Sequence, residues 1–66
     1  MRFEGRVKFF QDDKAFGFIL REGQNDLYFG GHAIIDETPP KTGDKVSFVI
    51  EQRPDGRERA ANVSRT

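Results

Sequence analysis

The chain has 66 residues, no cysteine and a formal net charge of zero, with 11 basic and 11 acidic side chains. That length admits one small domain whose apolar burial only narrowly offsets its chain entropy. Without cysteine there are no disulfides and no cysteine zinc sites, and neutrality argues against a nucleic-acid binder driven by net charge alone. No stretch approaches the ~20 apolar residues of a membrane helix. The opening "MRFEGRVK" lacks the apolar run of a secretory signal. A soluble, cytoplasmic protein with no membrane partner is therefore expected. Charge is unevenly spread: residues 1–21 carry five basic and three acidic groups (+2), 22–44 one and five (−4), and 45–66 five and three (+2). Taken alone, this fits an ordinary solvated surface as well as a binding face.

In chain order, strands dominate. No window of 11 or more residues repeats apolar positions at helical spacing. "FEGRVKFF" (3–10) and "AFGFILR" (15–21) are rich in β-formers and flank the polar turn "QDDK". After the turn "EGQN" comes "DLYFG" (26–30). The segment "GHAIIDETPPKTGD" follows, and its Pro-Pro pair makes it mostly loop, with one helical turn expected over residues 33–35. "KVSFVIEQ" (45–52) alternates, setting Val46, Phe48 and Ile50 on one face and Lys45, Ser47, Val49 and Glu51 on the other. "RPDGR" is a strong turn signal. "ERAANVSR" (58–65) then makes a last strand, with Ala61 and Val63 expected on one face. A flat sheet of five short strands would leave a face and two edges open. Closure removes most of that problem, so the expected fold is all-β, a five-stranded antiparallel OB-type barrel over residues 1–66.

Residues 8–29 hold five of the seven Phe residues and the sole Tyr, alternating with Lys, Gly and Asp. Side chains two apart share a face of a strand. Phe16 and Phe18 therefore point one way and Ile19 the other, with Gly17 on the Ile19 side. Leu27 and Phe29 face opposite to Tyr28, and Val7 opposite to Lys8. Phe9 and Phe10 are adjacent, so alternation sends one to each face without saying which. An outward set of Phe16, Phe18, Tyr28 and one of Phe9 or Phe10, edged by Lys8 and Lys14, suits single-stranded nucleic acid. Stacking a base on an aromatic ring contributes roughly 1–3 kcal/mol, and lysines meet the phosphates that follow. Gln11, Asn25 and Asp26 can reach base edges. The bland reading of the same rings is packing against a loop or a second copy.

Other chemistry finds little support. His32 is the only histidine, and neither a triad nor a zinc site can be built around it, so a loop or capping role is expected. Asp12 and Asp13 sit between two strands, where Asp serves turns. "DGR" at 55–57 lacks phosphate-loop spacing. No enzyme, cofactor, metal site or small-molecule substrate is expected.

From end to end the chain resembles the bacterial cold-shock proteins. "GRVKFFQDDKAFGFI" is similar to that family's Gly-x-Val-Lys-Trp-Phe-Asn-x-x-Lys-Gly-Phe-Gly-Phe-Ile. "DLYFGGHAI" resembles Asp-Val-Phe-Val-His-Phe-Ser-Ala-Ile, and "GDKVSFVIEQ" and "RAANV" resemble the fourth strand and the closing Pro-Gln-Ala-Ala-Asn-Val. The resemblance implies an OB-type barrel that binds single-stranded RNA and DNA on stacked aromatics, with RNA chaperoning or transcriptional or translational regulation as roles. It places Lys8, Phe9, Lys14, Phe16, Phe18, Asp26 and Tyr28 at the contact surface and sends Phe9 to the rings and Phe10 to the core.

The departures from that pattern matter as much. Phe9 stands for Trp, Gln11 for Asn, Ala15 for Gly and Tyr28 for Phe. Gly30-Gly31 replaces His-Phe, the loop "DETPPKTG" has no aromatic, and "GRERA" replaces a Gly-Pro segment, leaving Arg57 or Arg59 to supply a basic contact. Losing two rings at ~1–3 kcal/mol each can weaken binding a hundredfold or more. The expectation is thus a monomer or weak homodimer that binds single-stranded RNA or DNA more weakly than typical members. The alternative is a protein-interaction barrel that has lost the ligand.

Overall fold

A computed structural model describes residues 1–66. It contains five strands, β1 (Phe3–Gln11), β2 (Phe16–Leu20), β3 (Leu27–Gly30), β4 (Lys45–Gln52) and β5 (Glu58–Arg65), with a 3-10 turn at Gly31–Ala33. All pairings are antiparallel, in the order β3-β2-β1-β4-β5. The outer strands of that order approach each other. Past the 3-10 turn, Ile34 bridges Val63 in parallel, and the Ile35 N–H donates to the Val63 carbonyl at 2.9 Å. The sheet thus closes on itself as a five-stranded OB-type barrel, which hides edges that would otherwise invite pairing with other chains.

The core is Val7, Ile19, Leu27, Phe29, Ala33, Val46, Phe48, Ala60 and Val63. Phe10, Ile34 and Ile50 pack against it from partly buried positions. No polar side chain is buried. The two-residue period explains most of this list. Gly17 and Ile19 on β2, Leu27 and Phe29 on β3, and Val46 and Phe48 on β4 all turn inward, as alternation predicts.

Two bulges break the period. On β1, Val7 pairs with Ile19 and Phe9 with the adjacent Phe18, so Lys8 is an extra residue. The shift turns Phe9 outward beside Phe18 and sends Phe10 inward, where its ring stacks on Phe29 with centroids 5.7 Å apart. On β5, Asn62 is extra: Val49 pairs with Ala61 and Ser47 with Ser64. Asn62 has φ of 52°, a left-handed conformation that Asn tolerates better than most residues. Ala60, not Ala61, therefore shares the core with Val63. The inserted residue shifts the alternation by one position.

The helical turn also lies two residues earlier than expected, at Gly31–Ala33. The Gly31 N–H is held by the Ala15 carbonyl at 2.7 Å, and the Ile34 N–H closes the turn on the Gly31 carbonyl at 3.2 Å. Ile34 and Ile35 are then drawn out straight alongside Val63. Ala15 itself leaves β2 and sits in the turn before it, with φ of 55°.

Asp36 anchors the long loop to the end of β5. Its carboxylate accepts the Arg65 N–H at 2.8 Å and the Ser64 hydroxyl at 3.0 Å, and it faces the Arg65 guanidinium at 3.8 Å. The Arg65 N–H bond is the main cause that holds the Asp36 carboxyl below its ordinary value of 3.8; partial desolvation opposes it, and the Ser64 hydroxyl and Arg65 charge assist. A carboxyl lowered in the folded state stabilises above its unfolded pKa and loses that contribution as pH falls through the folded one. Asp36→Asn is expected to lower stability in urea melts near neutrality. Its deficit against the wild type should narrow steadily below about pH 5 and vanish in strong acid.

Candidate nucleic-acid interface

Strand register lays the outward residues of β1, β2 and β3 in two rows. Phe9, Phe18 and Tyr28 form one, and Gln11, Phe16 and Gly30 the other. Between them the row Phe10, Gly17 and Phe29 points into the barrel. The four outward rings cluster. Phe9 lies 5.5 Å from Phe18 and 6.0 Å from Phe16, and Phe18 lies 6.2 Å from Phe16 and 5.9 Å from Tyr28. Phe16 and Tyr28 are near parallel, 6.1 Å apart at 23°. These spacings are favourable for aromatic pairs, worth ~0.5–1.5 kcal/mol each beyond their burial. All four rings are half-buried, and none belongs to the core.

Gly17 makes this face possible. A Cβ there would overlap the Phe9 carbonyl oxygen and come within 3.0 Å of the Phe29 ring. Only a residue without a side chain lets β1 and β2 approach so closely that rings on both strands touch.

Polar groups border the rings unevenly. Lys8, the bulge residue, pairs with Asp26 at 3.0 Å. Lys14 is exposed in the β1–β2 turn and joins no ion pair. Gln11 is exposed at the end of β1. Arg57 and Arg59 lie in and after the β4–β5 turn, where Asp55 (3.7 Å) and Glu51 (3.0 Å) engage them. No hydrogen bond or ion pair joins either arginine to the ring cluster. Asn25 contributes its carbonyl to the Arg21 guanidinium at 2.9 Å.

One side chain that alternation alone did not assign to this face is His32. A Cβ built on Gly30 would fall 2.8 Å from His32 Cε1 and 2.9 Å from Nδ1. The 3-10 turn folds the imidazole back over the glycine. The sequence carried a signal only in the Gly30-Gly31 pair, which leaves the room.

Residues 3–66 match the family model described as the 'Cold-shock' DNA-binding domain. The chain belongs to the cold-shock domain family. It is 41% identical to the cold shock protein CspC of Bacillus subtilis (strain 168), over 94% of this chain and 96% of the relative. It is 40% identical to the cold shock-like protein CspA of Shewanella violacea, over 89% and 87% respectively. Among solved structures it superposes on "drosophila Unr CSD456" with a TM-score of 0.82 and 25% identity. All of this chain is matched there, spanning 27% of that longer chain. Cold-shock domain proteins are nucleic-acid-binding proteins and not enzymes. No helix of this cold-shock domain is long and apolar enough to cross a membrane.

Within this cold-shock domain, two departures from the family pattern touch each other. A Cβ on Gly31 would lie 3.0 Å from the Ala15 methyl and 3.3 Å from its carbonyl oxygen. The residue that gained a side chain and the one that lost it fill the same small space.

The Lys8–Asp26 pair also has a measurable consequence. Both groups remain partly solvated, at 52% and 31% exposure, so the pair stabilises the fold little but neutralises a cation beside the rings. Asp26→Asn is expected to tighten oligothymidine binding at low salt. The slope of log affinity against log salt should stay close to that of the wild type, because Lys8 meets a phosphate in both proteins and the variant only spares the breaking of the ion pair. Dissociation constants across a salt series provide the check.

Proposed function

We propose that this chain binds single-stranded RNA or DNA by stacking bases on Phe9, Phe16, Phe18 and Tyr28. The observation that carries this reading is the four-ring cluster, set outside the core on the outward face of a closed barrel. Bases of any identity offer a π-face, so such a surface binds with low sequence specificity. Lys14 is a free cation for a phosphate, and Lys8 becomes one when a ligand draws it from Asp26. Gln11 and Asp26 present an amide and a carboxylate to base edges. Arg57 and Arg59 contribute at most a distal phosphate contact, since each is already engaged by a carboxylate of its own hairpin. Gly30-Gly31 in place of the family's His-Phe pair leaves binding weaker than in typical members. The chain works as one such domain, monomeric or weakly dimeric, in the cytoplasm, in RNA chaperoning or in regulation of transcription or translation.

Titration with oligothymidine, followed by NMR and repeated across salt concentrations, tests this. Ring and amide resonances of Phe16, Phe18 and Tyr28 should move together, with affinity falling as salt rises. No movement at millimolar ligand would favour the alternative, a barrel that meets another protein through the same rings.

A further inference from the structure

We propose that His32 is a further nucleic-acid-binding residue, whose imidazole occupies the vacant sixth place of the outward face beside Phe16 and Tyr28. The inference rests on the base-stacking reading above. Five of the six outward places in the two rows carry a side chain, and the sixth is Gly30. Gly30 is nevertheless buried, although it faces outward opposite the half-buried Phe16. Its cover is His32: the imidazole carbon Cε1 and nitrogen Nδ1 lie 2.8 and 2.9 Å from where a Cβ of residue 30 would be, with the Tyr28 hydroxyl 3.6 Å from that point.

The backbone explains the placement. Gly30 is extended, with φ of −93° and ψ of 161°, and the 3-10 turn Gly31–Ala33 reverses direction directly after it. The turn is pinned by the Gly31 N–H on the Ala15 carbonyl, so the backbone of residue 32 is held where its side chain reaches back over β3. His32 remains exposed while it covers Gly30. An imidazole so placed offers a π-surface and a ring nitrogen to one more nucleotide, adjoining the bases carried by Phe16 and Tyr28. Gly30 then has a specific role, because the side chain it lacks would fill the space that the imidazole takes.

Three variants and one probe test this, with oligothymidine as ligand throughout. His32→Ala is expected to lower affinity about fivefold or more, the smaller end of the loss for one stacking ring. His32→Phe, which keeps a ring, should retain most of it. Gly30→Ala should behave like His32→Ala, because its methyl displaces a flexible side chain and leaves the backbone in an ordinary conformation. In the wild type, the imidazole proton resonances should shift during the titration, a readout that needs no variant. If His32→Ala binds as tightly as wild type while Phe18→Ala is weakened, the imidazole only shields the Gly30 backbone and the proposal is overturned. If Phe18→Ala is also unaffected, the stacking reading itself fails and takes this inference with it.

Discussion

Phe18→Ala is expected to weaken oligothymidine binding by roughly 5- to 150-fold, the equivalent of the ~1–3 kcal/mol that one stacking ring contributes. Phe18 is central to the cluster, touching Phe9, Phe16 and Tyr28 with centroids 5.5 to 6.2 Å apart. Its removal therefore takes away one platform and loosens the edge support of three others. Two controls isolate the effect. Ile35→Ala removes an apolar side chain that is 60% exposed in the long loop, and it should leave affinity unchanged. Phe18→Ala should also leave the salt slope unchanged, because a ring neutralises no phosphate. A variant that lost affinity with a shallower salt slope would point to disturbed lysines rather than a lost stacking partner. Thermal melts accompany the titration, because a half-buried ring also contributes to stability.

Gly17→Ala is expected to remove much of the domain's small stability, and to weaken binding with it. The added methyl overlaps the Phe9 carbonyl oxygen and presses within 3.0 Å of the Phe29 ring. Neither obstacle can swing aside. The carbonyl belongs to β1 backbone paired with β2, and Phe29 is fully buried. Overpacking a core costs ~1–3 kcal/mol, and more when backbone must move. A domain this small has a margin of only about 3–5 kcal/mol. Urea melts and proton NMR dispersion would show the loss. A Gly17→Ala protein that melts within a few degrees of wild type would mean that β1 and β2 are not held at this separation. The contact between Phe9 and the β2 rings would then lose its basis.

Both effects trace to neighbouring positions on one strand. Local alternation was enough to set Phe18 outward and Gly17 on the inner face, while the contacts that Gly17 avoids came only with the packed strands. Period two on β2, β3 and β4 places Phe16, Phe18 and Tyr28 outward and Ile19, Leu27, Phe29, Val46 and Phe48 inward, as the structure has them. The five-strand pattern with its polar turns was legible for the same reason. Turn residues and alternation are properties of a few neighbouring residues, and the chain is too short to bury its apolar faces other than by closure.

Tertiary structure decided the rest. The residues of β1 do not say by themselves that Lys8 is extra; that follows from pairing Val7 and Phe9 with consecutive residues of β2. The resemblance supplied the outcome for Phe9 and Phe10, and cross-strand register supplies its cause. Ala60 displaced Ala61 from the core because Asn62 bulges where β5 meets β4. Lys8 lost its free charge to Asp26, 18 residues away. His32, which reads as a loop residue in sequence, lies over Gly30 because a tight turn reverses the chain there. Alternation is written residue by residue, whereas a bulge, an ion pair or a side chain folded over its neighbour depends on which strands meet and how far along. That is settled only when the barrel closes.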